Sequence, residues 1–181
     1  MDLELETCGV AEVLNRLRGA ERDGRPFDVV ISFEDPGTQS APRLEKALGR
    51  KWKGRQLILE CYNINMPGPG RELPPRSVVK DAIEFMERQP GKDGKLRALV
   101  HCDGGLGRSP ALAYVLWCYA RGLGSESAGI DEILRLNPAA EVNRPIVAYG
   151  DLLLERDGKM LMIYEDARIR RNRRITVQFG L

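Results

Sequence analysis

Apolar and polar positions change period several times along the chain, and each change predicts an element. From Leu3 to Gly19 the residues Val10, Val13, Leu14 and Leu17 recur at helical spacing, which predicts a helix closed by Gly19. Phe27 to Phe33 is a short apolar run and reads as a buried strand, followed by turn chemistry at Glu34-Asp-Pro-Gly37. Residues 42–48 suit a short helix, and Gln56 to Tyr62 a second buried strand. Residues 63–75 hold four Pro, two Gly and two Asn, so they predict a loop. Ser77 to Arg88 returns to the helical period, with Val78, Ala82, Phe85 and Met86 on one side, and a turn follows at 90–94. Leu96 to His101 is a third strand that ends at Cys102. A Gly-rich turn, Asp103 to Gly107, leads into a helix from Pro110 to Arg121, with the proline suited to its first turn and Gly122 and Gly124 closing it. Helices follow over 125–136 and 143–155, and Lys159–Tyr164 and Ile175–Phe179 read as the two strands of a hairpin.

Strands separated by helices predict an α/β domain in three layers, a central and mostly parallel sheet flanked by helices. The 181 residues are enough for one domain, expected over 1–156, with an Arg-rich extension over 157–181 packed on it.

Charge changes this picture only at the end of the chain. The total is 28 Lys+Arg against 26 Asp+Glu, which gives no general electrostatic case for nucleic acid or membrane. Five arginines fall within residues 168–174, and removing them from the 28 leaves 23 basic residues against the 26 acidic ones. The basic character therefore sits in the extension. It reads first as a solvated turn and second as a patch for RNA, anionic lipid or a phosphorylated partner, though no aromatics interleave it for base stacking. The acidic N-terminus has no signal-peptide pattern and no apolar run approaches a bilayer span, so a cytoplasmic location is expected.

Cysteine and histidine usage narrows the chemistry. Cys8, Cys61, Cys102 and Cys118 are widely spaced with no C-x-x-C, and read as free thiols rather than a zinc site. The single histidine, His101, neighbours Cys102 on a strand and so points to the opposite face; a Cys-His nucleophile pair is excluded, as is a multi-His metal site. No cofactor or metal is called for.

The densest chemistry lies in His101-Cys-Asp-Gly-Gly-Leu-Gly-Arg-Ser109. A buried strand delivers Cys102 to the end of a sheet. Glycines then let a short loop curl so that successive N–H groups point inward, and the following helix adds its N-terminal donors and partial positive charge. The result is a cradle for a phosphate-like dianion, formed by the backbone of Asp103, Gly104, Gly105, Leu106, Gly107 and Arg108. The Arg108 guanidinium can fork two hydrogen bonds to such an anion. A cysteine at this position has its thiolate stabilised and stands under the bound group as a nucleophile. Ser109 can hydrogen-bond that thiolate when it leaves.

The pattern Cys-x5-Arg-Ser, with His before the Cys, resembles the signature loop of the cysteine-dependent protein tyrosine phosphatase superfamily, in its compact dual-specificity-like bacterial type. The strand with Ser-Phe-Glu-Asp-Pro near residue 32 and Asn-Arg-Pro-Ile-Val-Ala-Tyr-Gly-Asp near residue 147 extend the resemblance over about residues 27–155. It implies a phosphatase that needs no cofactor and acts on phosphorylated protein, tyrosine or dual-specificity. Cys102 would form a cysteinyl-phosphate, Arg108 would bind the phosphoryl group and Ser109 would assist hydrolysis.

One departure matters. The resemblance places a general-acid Asp on an upstream loop, a role worth about 10²–10⁴ in rate. The corresponding stretch, Glu60 to Met66, has no Asp, and Asn63 stands in its place. Asp103 ranks first as a substitute because the sequence nearly fixes its position beside the nucleophile; Glu72 on the Pro/Gly-rich loop and Asp35 after the first predicted strand follow. If none serves, turnover is confined to good leaving groups, or the protein is a pseudophosphatase that binds phosphorylated ligands. An RNA 5′-phosphatase is a further alternative, motivated only by the arginines.

Overall fold

The computed structural model describes residues 2–49, 52–89 and 94–179, with side chains as far as Arg171. The chain begins with a strand, β1 (Asp2–Gly9), where the sequence predicted the start of a helix; only α1 (Val10–Arg22) is helical. The reason is local. Leu3 and Leu5 are buried while Asp2 and Glu4 are exposed, a period of two that outweighs the helical spacing beginning at Val10. The Glu4 and Glu6 carboxylates of β1 accept hydrogen bonds from Arg97 on the neighbouring strand.

The other predicted strands and helices form close to their expected places. They are β2 (Val29–Glu34), α2 (Leu44–Leu48), β3 (Arg55–Glu60), α3 (Ser77–Glu87), β4 (Lys95–Cys102), α4 (Arg108–Arg121), α5 (Glu126–Leu136) and α6 (Arg144–Leu153). The turn expected at 90–94 lies outside the described residues apart from Gly94.

The expected C-terminal hairpin is instead one helix, α7 (Lys159–Phe179). Met160, Tyr164 and Ala167 are buried at steps of four and three, the spacing of a helix face rather than of a strand. Asp151 starts α7 by accepting from Gly158 N at 2.6 Å and Met160 N at 2.7 Å, which satisfies orphan donors of the first turn. The apolar run that suggested strands is thus the inner face of a helix packed on α5 and α6.

The four strands among the described residues are all parallel, in the order β1-β4-β2-β3. Alternate residues feed two cores. Leu96, Ala98, Val100 and Cys102 of β4 join Val29, Ile31 and Phe33 of β2 in the larger core under α3–α7. Leu99 and Val30 point the other way, toward Val13, Leu17 and Leu44 of α1 and α2. This is the predicted three-layer arrangement. Because the strands run in parallel, their carboxyl ends share one edge: Gly9, Glu34, Glu60 and Cys102. Ligands of such sheets bind in the crevice beyond that edge. Among the described residues no helix is long and apolar enough to cross a membrane.

Candidate active site

Cys102 ends β4, and the loop over residues 103–107 turns directly into the N-terminus of α4. Its sulfur is buried and lies 3.2 Å from Ser109 Oγ. The loop curls as the glycines require. Gly105 has φ +71, and a Cβ there would stand 2.6 Å from Gly9 N and 2.7 Å from the Cys8 carbonyl carbon. Close packing against the β1–α1 junction therefore demands glycine independently of φ. Val10 N donates to Asp103 O at 3.0 Å and ties the same junction to the start of the loop.

The opposite flank is held by residues 137–143. Asn137 Nδ2 donates to Gly105 O at 2.9 Å, Glu141 N to Leu106 O at 2.8 Å and Asn143 N to Gly107 O at 3.1 Å. Three consecutive loop carbonyls are thus drawn outward, which leaves the loop's N–H groups for an incoming anion. Sequence reasoning missed Asn137 and Glu141: a helix-linking loop carries no mark of what its backbone will touch. Asn143 caps α6, accepting from Ile146 N at 3.2 Å, and it also reaches the site.

Arg108 is only 3% exposed. Its Nη1 donates to Asp35 Oδ1 at 2.6 Å and to the Cys61 carbonyl at 2.5 Å, whereas its buried Nε has no partner among the described residues. The guanidinium also lies 5.9 Å above the Phe33 ring. The cation is thus built into the site with donor capacity unspent, in a place where a lost hydrogen bond is costly.

A cavity of about 280 Å³ opens over Cys102. Asp35, Asp103, Gly104, Leu106, Gly107 and Arg108 line it, with Tyr62, Asn63, Ile64 and Arg71 from the loop after β3. Of the three carboxyl candidates, Asp35 and Asp103 therefore share the cavity with the sulfur. Glu72 lines a neighbouring one, with Tyr62 and Arg71 common to both. Asn63 packs against the loop so closely that a Cβ on Gly107 would come within 2.5 Å of its Oδ1. That oxygen accepts from Asn143 Nδ2 at 3.2 Å, so the amide acts as a wedge.

Burial keeps three neighbours, His101, Cys61 and Cys8, uncharged near neutral pH. His101 Nε2 shares a hydrogen bond of 2.7 Å with Ser32 Oγ on the face opposite Cys102, and burial pushes its pKa down to about 4. Burial pushes the Cys61 thiol up to about 11, more than Arg108 lowers it, and that of Cys8 up to about 12. Of the extension's arginines, Arg168 pairs with Glu165, and Arg171 donates to the Pro138 and Ala140 carbonyls beside the loop clamp.

No protein-family model matches the chain, and no curated protein does. Solved structures do. The active form of Tk-PTP superposes with a TM-score of 0.56 at 20% identity, over 86% of this chain and 93% of that one. Human DUSP28 gives 0.55 at 18% identity, over 82% and 87%. A human tyrosine phosphatase-like serine/threonine/tyrosine-interacting protein gives 0.56 at 14%, over 87% and 93%. The chain has the fold of the tyrosine and dual-specificity phosphatases.

Proposed function

We propose that the protein hydrolyses phosphate monoesters through a covalent cysteinyl-phosphate on Cys102, with phosphotyrosine or a dual-specificity range of protein phosphoresidues as substrates. The observation that carries this reading is a buried sulfur at the end of β4, under a loop whose carbonyls are tied outward, beside an arginine with an unpartnered buried Nε. The phosphoryl group sits in the cradle, held by the amides of residues 103–108 and by Arg108. The charge that develops on its oxygens in the transition state meets donors already oriented for it, which is where such sites gain most of their rate. Cys102 attacks in line, and Ser109 hydrogen-bonds the sulfur when water later displaces it. Tyr62, Ile64 and Leu106 give an aryl leaving group apolar wall to rest on.

The test is hydrolysis of para-nitrophenyl phosphate by the full chain, without added metal and with a reductant, beside Cys102→Ser. Turnover that disappears in Cys102→Ser supports the reading; turnover that survives refutes it.

A second reading, a module that binds phosphorylated ligands without turnover, draws on Asn63, which has no proton to give, and on the Arg108–Asp35 pair that already occupies the cation. A folded wild type that binds inorganic phosphate but shows no Cys102-dependent turnover would favour it. The RNA 5′-phosphatase alternative rests on arginines of which Arg168 and Arg171 are engaged within the molecule, while the side chains of Arg173 and Arg174 lie outside the described ones.

A further inference from the structure

With an amide at position 63, the proposed hydrolysis lacks a proton donor where the resemblance puts one, and the cavity sorts the substitutes. Glu72 lines the neighbouring cavity and not the one that holds Cys102. Asp103 belongs to the curled loop itself. It lines the cavity too, but among the described residues no hydrogen bond ties its carboxyl to Arg108. Asp35 comes from a different element. It follows β2 at the carboxyl edge of the sheet, in a turn closed by Thr38 N and Thr38 Oγ donating to its carbonyl at 3.1 and 2.8 Å. Its carboxylate rests on the guanidinium that would receive the phosphoryl group, 2.6 Å from Arg108 Nη1. An anion that binds Arg108 arrives beside Asp35.

We propose that Asp35 is the proton donor to the leaving oxygen, and that its ion pair with Arg108 is an internal competitor which the substrate's phosphoryl group displaces. This rests on the hydrolase reading above. In the free protein Asp35 is the anion on Arg108. When a phosphoryl dianion takes the guanidinium, Asp35 loses its counter-ion and gains a negative neighbour, and both changes favour the protonated carboxyl. The proton comes from solvent, to which the side chain is 44% exposed.

The Cys102 thiolate then forms the S–P bond as the ester P–O bond breaks, and the departing oxygen takes the Asp35 proton. In the second half the Asp35 carboxylate accepts a proton from the attacking water. A new P–O bond forms, the S–P bond breaks and its electron pair returns to sulfur. Inorganic phosphate leaves, Asp35 releases the proton it took from water back to solvent, and Arg108 returns to the carboxylate. The pair thus keeps the cation placed between turnovers and makes proton donation contingent on a bound substrate.

Arg108 from α4 contacts Asp35 and the Cys61 thiol lies within its field; the other titratable or charged groups of the shared cavity are Cys102 at the end of β4, Asp103 in the loop, and Tyr62 and Arg71 after β3. On its own element Glu34 is already bound by Arg43 and Ala41 N. Asp103 is therefore the rival carboxyl that the test must separate.

The experiment compares wild type, Asp35→Asn and Asp103→Asn on aryl phosphates whose phenols span a range of basicity, with inorganic phosphate as competitor. Asp35→Asn is isosteric at a partly exposed position, and a thermal melt confirms its folding. Its turnover should fall about 10²–10⁴-fold on phenyl phosphate and far less on para-nitrophenyl phosphate, with the basic limb of the pH profile lost. Phosphate should bind it more tightly than wild type and raise its melting temperature further, because the internal competitor is gone. A merely structural Asp35 would weaken phosphate binding. Equal losses across the phenol series, a basic limb that vanishes only in Asp103→Asn, or weaker phosphate binding would each overturn the proposal. Turnover that survives Cys102→Ser would instead remove the hydrolase reading beneath it.

Discussion

A methyl group added at Gly105 tests how the phosphate loop is held. The residue has φ +71, and alanine in the left-handed region costs about 1–2 kcal/mol. The new Cβ would also lie 2.6 Å from Gly9 N, 2.7 Å from Cys8 C and 3.0 Å from Cys8 O. These are backbone atoms of β1, whose residues pair along their length with β4, so they cannot swing aside as a side chain would. The loop cannot retreat freely either, because Asn137 Nδ2 holds Gly105 O at 2.9 Å from the other flank. Overpacking of this kind typically adds about 1–3 kcal/mol. Gly105→Ala should therefore lose roughly 2–5 kcal/mol of stability in urea titration. A displacement of the cradle on the order of 1 Å should lower kcat/KM on para-nitrophenyl phosphate by about 10²-fold. The comparison is Gly104→Ala one residue earlier, where a Cβ meets nothing within 4 Å and φ lies outside the left-handed region; its stability should change by less than about 1 kcal/mol. If the two alanines destabilise equally, the packing argument for Gly105 is wrong.

His101 gives the fold a pH dependence with a definite sign. Its pKa of about 4 in the folded chain lies below the 6.5 of a free histidine, so unfolding takes up a proton between these values. The stability from keeping it neutral is full above pH 6.5 and is lost as pH falls toward 4, about 3 kcal/mol in all. His101→Gln should flatten that part of a urea-midpoint profile. Asn143→Ala removes the α6 cap and both Nδ2 bonds, to Asn63 Oδ1 and Ile64 O, at a cost of about 1–2 kcal/mol. Asn143→Asp keeps the cap but not the Nδ2 donor, so it should retain stability better than activity; equal losses of both would show that the link to Asn63 does nothing for the site. Glu126→Gln leaves the buried Arg156 cation without its counter-ion and should cost about 3–5 kcal/mol in urea unfolding, whereas a change under 1 kcal/mol would mean the pair at 3.5 Å is spent on neither fold nor packing.

The elements that were legible in the sequence are those whose signal is local. Leu96 to Cys102 is an apolar run bounded by glycines, and its loop-to-helix continuation carries three glycines and an arginine at set places. That was enough to put Cys102, Arg108 and Ser109 around one point. β1 was hidden because its alternation spans few residues before the helical pattern of α1 begins. α7 was misread because Met, Leu, Ile and Tyr suit either state, and what decided between them lies elsewhere: the Asp151 cap and the apolar faces of α5 and α6 that receive Met160 and Tyr164. The contacts that tie the loop carbonyls outward are made by backbone and amide groups of residues 137–143, which no composition or period singles out. Asp35 was visible as a turn residue after a strand. Its contact with Arg108 follows only from the sheet order, which sets the ends of β2 and β4 side by side.

The central claim is covalent chemistry on Cys102, and trapping the intermediate tests it most directly. The full chain is mixed with an aryl phosphate labelled at phosphorus, quenched in denaturant within the first turnovers, digested, and the label mapped by peptide. The account predicts a labelled cysteinyl-phosphate on the peptide that contains Cys102, absent in Cys102→Ser. Label on any other residue, or turnover that continues in Cys102→Ser without a labelled protein, would contradict it.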